Sequence, residues 1–168
     1  GWSLWLSRLV LLPLIACCGL HPFAAAATAG WPPSLSTLAF LPPQFTEPAE
    51  EQRERLQPGP ADAGNPPPAA LLAQAEAALQ AKNPDQAVDL YARALKQGGV
   101  ERHAAWFGLS RAALASRPDG WKEKRQMRLE AIGAAINAYL SAPDRAQAAH
   151  SLASLGQGVV QSTAEVEE

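Results

Sequence analysis

Apolar positions recur at three- and four-residue spacing through the second half of the chain, and nowhere do they alternate with period two for long enough to make a strand. Leu71, Leu72, Ala75, Ala78 and Leu79 form one stripe, which predicts a helix from about Ala69 to Lys82. Asn83-Pro84-Asp85 closes that helix and opens another: Pro84 suits a first turn, and Asp85 suits the positive end of the helix dipole. This second helix carries Ala87, Val88, Tyr91, Ala94 and Leu95 on one side and stops at Gly98-Gly99. A third, from about Glu101 to Ser116, presents Ala105, Trp106, Leu109, Ala112 and Ala113 before Arg117-Pro118. A fourth, from about Trp121 to Ala142, shows Leu129, Ile132, Ala135, Ile136, Tyr139 and Leu140, and Pro143-Asp144 then resets the chain. A last segment places Ala148, Ala149, Leu152, Leu155 and Val159 on one face. The expected fold is all-α, made of antiparallel helical hairpins joined by short turns.

Proline punctuation changes the reading before residue 68. Most of the 15 prolines in the 168 residues lie there, where they would break a helix or central strand. Residues 30–67 are therefore expected to form a Pro-rich linker, with a short helix within Glu47–Leu56 and apolar islands at Trp31 and Leu35–Leu41 that could dock on the folded part. Residues 1–29 have the layout of a secretory signal: Arg8, an apolar run from Leu9 to Leu20, and small residues from Ala24 to Ala29. That run falls short of the roughly 20 residues needed to span a bilayer. Export to the periplasm or cell envelope is the expectation. Two processing routes are open: a plain cut in Ala24–Ala27, which is favoured, or a lipobox at Leu14-Ile-Ala-Cys17 with lipid on Cys17.

Charge and chemistry narrow the function. A net charge of −2 offers no field for phosphate backbones, so no nucleic-acid partner is expected, and a membrane contact only if Cys17 is lipidated. Adjacent Cys17 and Cys18 build no disulfide framework. His21, His103 and His150 have no ligand at metal spacing, Gly98-Gly99 lacks the rest of a phosphate loop, and no metal or cofactor is expected. Gly108-Leu-Ser110-Arg-Ala112 has the outline of a nucleophile elbow but lies inside a helical pattern, which makes Ser110 a packing residue. Lys122, Lys124, Arg125 and Arg128 read as a solvated helix face, and Trp106, Phe107 and Trp121 as packing aromatics. No catalytic group is expected.

Aligned, the hairpins repeat. Leu71, Ala75 and Ala78 on one helix with Ala87, Tyr91 and Ala94 on the next resemble the tetratricopeptide pattern in spacing and residue size. Alanines let paired backbones approach, and the tyrosine fills the gap to the next hairpin. Trp106, Leu109 and Ala113 begin a second copy, near the family's repeat length of about 34 residues. Ala135, Tyr139 and Ala142 repeat the small–aromatic–small spacing, after an extra stretch around Asp119–Met127. Leu152, Leu155-Gly156 and Val159 start a third copy. The repeats are assigned to 68–162, and 163–168 read as a truncated end, so the last helix is expected to lack its partner and to fray.

The phrase Ala134-Ala-Ile-Asn-Ala-Tyr-Leu-Ser-Ala-Pro143 with Ser154-Leu-Gly156, behind an export signal and a Pro-rich spacer, is similar to the N-terminal region of bacterial alpha-2-macroglobulin-like proteins. That resemblance implies a leader segment of an envelope protease inhibitor, without its bait region or thioester. The expected function is a non-catalytic, exported protein-interaction module of that kind, partnered by other domains of a longer chain. A tetratricopeptide scaffold or assembly factor of an envelope secretion or polysaccharide complex is the alternative.

Overall fold

The computed structural model describes residues 41, 43–60 and 64–164, all within one compact unit. The expectations placed on 1–29, Cys17 among them, lie outside the described residues. Six helices follow in order: α1 (Pro43–Arg55), α2 (Pro68–Gln80), α3 (Pro84–Gln97), α4 (Arg102–Ala115), α5 (Trp121–Ser141) and α6 (Arg145–Ala164). Helix makes up 79% of the described residues, which contain no strand.

The helix boundaries sit where the backbone chemistry demands. Pro68 and Pro84 occupy first-turn positions, where a missing N–H costs nothing. Helix α2 stops in a Schellman turn: Asn83 N–H donates to Ala78 O (2.9 Å) and Lys82 N–H to Leu79 O (3.0 Å), with Lys82 in the left-handed region at φ 58°. Asn83 is also the N-cap of α3, so one residue ends one helix and starts the next. Gly98 and Gly99 end α3 at φ 70° and 69°, a conformation that favours glycine.

Each of α2 to α5 packs on its successor, α4 also meets α2 and α6, and α1 lies on α5. One core joins α2, α3 and α4 through Leu71, Ala75, Ala78, Ala87, Tyr91, Ala94, Trp106 and Leu109. A second gathers Phe45, Ile132, Ala135, Ile136, Tyr139, Ala142 and Leu155 from α1, α5 and the start and middle of α6. Helix α5 is the centre: every residue from Ala131 to Tyr139 is buried, since α4, α6 and α1 cover different sides of it. The sequence singled out Leu129, Ile132, Ala135, Ile136, Tyr139 and Leu140 on this helix. A helix apolar all round is what such enclosure requires.

Three expectations are corrected. The spacer assigned to 30–67 contains a longer helix than the sequence suggested, because Phe45, Ala49 and Gln52 form a stripe that packs on α5, and Leu56 just after it enters the first core. Pro43 stands in the first turn, and Pro48 removes one internal hydrogen bond that packing offsets. Trp121 is 69% exposed rather than packed. Helix α5 has 21 residues against 14 in α4, so its first turns overhang by about 10 Å at 1.5 Å per residue. The extra stretch before Met127 thus lengthens a helix instead of a loop. Finally, Leu152 and Gly156 face outward; α6 seats Leu155 and the small residues Ala148, Ser151, Ser154, Gly158 and Ser162 instead, which bring it close to α5.

The tightest seat in the first core is Gly108, on α4. A Cβ there would collide with the ring of Tyr91, so the tyrosine occupies the space that a side chain on α4 would need. In an open helix, Gly→Ala stabilises by about 1 kcal/mol. Gly108→Ala is expected to do the reverse, costing about 1–3 kcal/mol, as overpacking does. Urea unfolding midpoints check this; a Gly108→Ala variant as stable as wild type would mean the ring is free to move.

Candidate functional site

Helix α4 sets His103, Phe107 and Arg111 at four-residue spacing, hence in a line down one face. The His103 and Phe107 rings stack at 6.0 Å, inclined by 8°, and Phe107 meets His150 of α6 at 6.1 Å. His103 is buried and its Nδ1 lies 2.9 Å from Ala138 O; a carbonyl only accepts, so Nδ1 carries the hydrogen. The Arg111 guanidinium stands 5.8 Å above the Phe107 ring and pairs with Glu76 of α2 at 3.5 Å. The same Glu76 oxygen accepts the Tyr91 hydroxyl at 2.5 Å. A chain of contacts therefore runs from the buried tyrosine to an arginine held at the surface.

Beside this line, α2, α4 and α6 line an open groove of about 500 Å³ whose walls include Glu76, Gln80, Arg111, Leu114, Gln157 and Gln161. Glu76 and Arg111 offset each other's charge, leaving amides and apolar surface as its character. The Gln161 Oε1 atom is buried and has no hydrogen-bond partner among the described residues. Such a lining can accept and donate hydrogen bonds to a backbone in extended form. It offers no nucleophile beside a base.

Ser110 is fully buried; it donates to Ala131 O (2.9 Å) and shares a 2.6 Å hydrogen bond with Ser154 of α6. Its hydrogen-bond partners among the described residues are a carbonyl and another hydroxyl, neither of them a base. Arg128 leaves the basic cluster and turns inward, donating to Leu114 O (2.7 Å) at the end of α4, while Lys122, Lys124 and Arg125 stay exposed. Among the described residues no three His, Cys, Asp or Glu side chains gather as metal ligands, and no helix is long and apolar enough to cross a membrane.

Of the residues singled out by sequence, Leu71, Ala75, Ala78, Ala87, Tyr91, Ala94, Trp106 and Leu109 come together in one core, and Ala135, Tyr139, Ala142 and Leu155 in the other. Leu152 and Gly156 join neither. Sequence reasoning passed over Glu76, and it weighed His103 only as a metal ligand and Gly108 and Arg111 only as parts of a nucleophile-elbow outline; the four-residue spacing on α4 and the glycine inside a helix were the available signs. Comparison with family models, curated proteins and solved structures gives no match.

Burial, followed by the hydrogen bond to Glu76 and that group's negative charge, raises the Tyr91 hydroxyl's pKa well above its ordinary 10, with Arg111 opposing. The folded state thus holds this proton more tightly than the unfolded chain does. The corresponding stability is fully present below pH 10 and lost as pH rises from there toward the folded value. Tyr91→Phe is expected to flatten that alkaline loss, measured as unfolding free energy from pH 8 to about 11.5. Identical slopes in the two proteins would refute the assignment.

Proposed function

We propose that this chain is an exported, non-catalytic protein-binding module, built as a short tetratricopeptide-type solenoid and serving as the N-terminal segment of a bacterial alpha-2-macroglobulin-like protease inhibitor. The observation that carries the binding role is the face shared by α2, α4 and α6, with its amide-lined groove and the Phe107–Arg111 line beside it. The solenoid reading is supported by helices that pack on their successors while α4 also touches α2 and α6, as stacked hairpins do. Small residues at the seams support it as well. The inhibitor reading rests on the phrase 134–143 with 154–156, and export on the layout of 1–29.

A photo-crosslinking residue at Gln157, in the groove, is expected to capture a protein in the bacterial envelope, most simply the remainder of its own chain, whereas the same residue at the exposed Lys124 captures none. Equal yields at both positions count against the groove. Residues 1–29 fused to an alkaline phosphatase that is active only outside the cytoplasm should give active enzyme; an inactive fusion removes export from the reading.

A further inference from the structure

Residues 121–126, which begin α5, are all exposed. At about 3.6 residues per turn such a run covers every side of a helix, so the start of α5 stands clear of the body. Trp121, Lys124 and Arg125 are spaced to share one side of it. The Lys122 ammonium lies 5.7 Å from the centre of the Trp121 ring. A tryptophan that is 69% exposed thus projects among three cations.

Helix stability does not account for these side chains. Lys122, Lys124 and Arg125 make no ion pair among the described residues. Glu123, the acid between them, turns its carboxylate back into the space beside Gly120. There it suits the positive end of the helix dipole, which cations in the same turns oppose. In the turn before α5, exposed Arg117 and Asp119 offset each other. The hydrogen bond from Ser116 to Asp85 (2.6 Å) brings the α2–α3 turn, with exposed Lys82, to the same end of the molecule. A net charge of −2 for the whole chain conceals this patch, because α1 exposes Glu47, Glu50, Glu51 and Glu54.

We propose that the projecting start of α5 is a peripheral contact for an anionic lipid surface, with Lys122, Lys124 and Arg125 against phosphate headgroups and Trp121 in the interfacial layer. Lipid fits better than an acidic protein segment for two reasons. The patch is convex, whereas a peptide buries its surface in a concave seat; a headgroup layer yields and closes around a projecting tip. The indole, with an apolar body and one N–H donor, also favours that layer. No helix among the described residues is long and apolar enough to cross a membrane, so the contact is peripheral. It uses none of the residues that line the α2–α4–α6 groove and does not depend on what the groove holds.

Tryptophan quenching in the full chain tests it. The chain has five tryptophans, and subtracting the emission of a Trp121→Phe variant isolates Trp121 from the rest, including those near the apolar run of residues 9–20. Vesicles of brominated phosphatidylcholine containing about a third phosphatidylglycerol should quench that difference emission, and brominated phosphatidylcholine alone should not. Each cation near such a surface is worth about fivefold in affinity, so Lys122→Gln, Lys124→Gln and Arg125→Gln together should raise the lipid needed for half-quenching about a hundredfold. The same triple variant should unfold at an unchanged or higher temperature, since it removes cations from the positive end of a helix. Trp121 emission indifferent to phosphatidylglycerol, or quenching that survives the triple substitution, overturns the proposal. So does a Trp121 response to soluble polyglutamate but not to vesicles, which would make the patch a protein contact.

Discussion

Contact between helix backbones is the constraint from which the rest of this structure follows. It is most direct at Gly133, where the backbone of α1 lies on α5; at Gly108 the Tyr91 ring takes the place of a side chain, and at Gly158 of α6 a Cβ would stand 3.0 Å from the Ile132 side chain. Between these points alanine fills the seams, as at Ala87, Ala94, Ala105, Ala131, Ala134, Ala135 and Ala138, all buried. Close packing converts a composition poor in large side chains into dense contact, since dispersion falls off steeply with even a small gap. It also makes the fold intolerant of added bulk at those positions while leaving the overhanging start of α5 free to vary.

Backbones this close need polar groups between them to be satisfied locally, and the fold does so in a consistent way. Ser110 donates to Ala131 O, His103 to Ala138 O, Arg128 to Leu114 O, Asn137 to Ala49 O and Gln52 to Glu130 O. Each is a buried side chain of one helix bonded to a carbonyl of another. Helical carbonyls have a second lone pair, so they accept these bonds without giving up their own. Losing such a partner inside costs about 1–3 kcal/mol, more than the bond contributes net, which makes these staples determinants of register as well as of stability. Arg128 shows how far this goes, as a charged group is drawn from the surface to close the end of α4.

The same economy shapes the surface where binding is proposed. Because α4 lies between α2 and α6, its line from buried His103 through Phe107 to the exposed end of Arg111 is held by neighbours on both sides: Glu76 pairs with the arginine, and His150 borders the phenylalanine. Tyr91 links that line to the core through Glu76. A groove framed this way is largely preorganised, and little side-chain freedom remains to be lost on binding.

The helices from α2 onward were legible in the sequence, because prolines, the Asn83 turn and the paired glycines act within a few residues of the boundaries they set. So were Ala87, Tyr91 and Ala94 as a seam, since small–aromatic–small spacing has one steric use in a helix pair. Helix α1 was hidden because proline content outweighed a stripe in which Gln52 takes an apolar place, and glutamine becomes a core residue only when Asn137 and the Glu130 carbonyl are there to bond it. Leu152 was misplaced for a related reason: α6 has alanine, serine and glycine on most sides, so its periodicity does not choose a face, and the close approach at Gly158 does. Local periodicity and backbone stereochemistry are properties of the chain and determine where helices begin and end; which side of an alanine-rich helix is buried depends on partners distant in sequence, and only packing decides it.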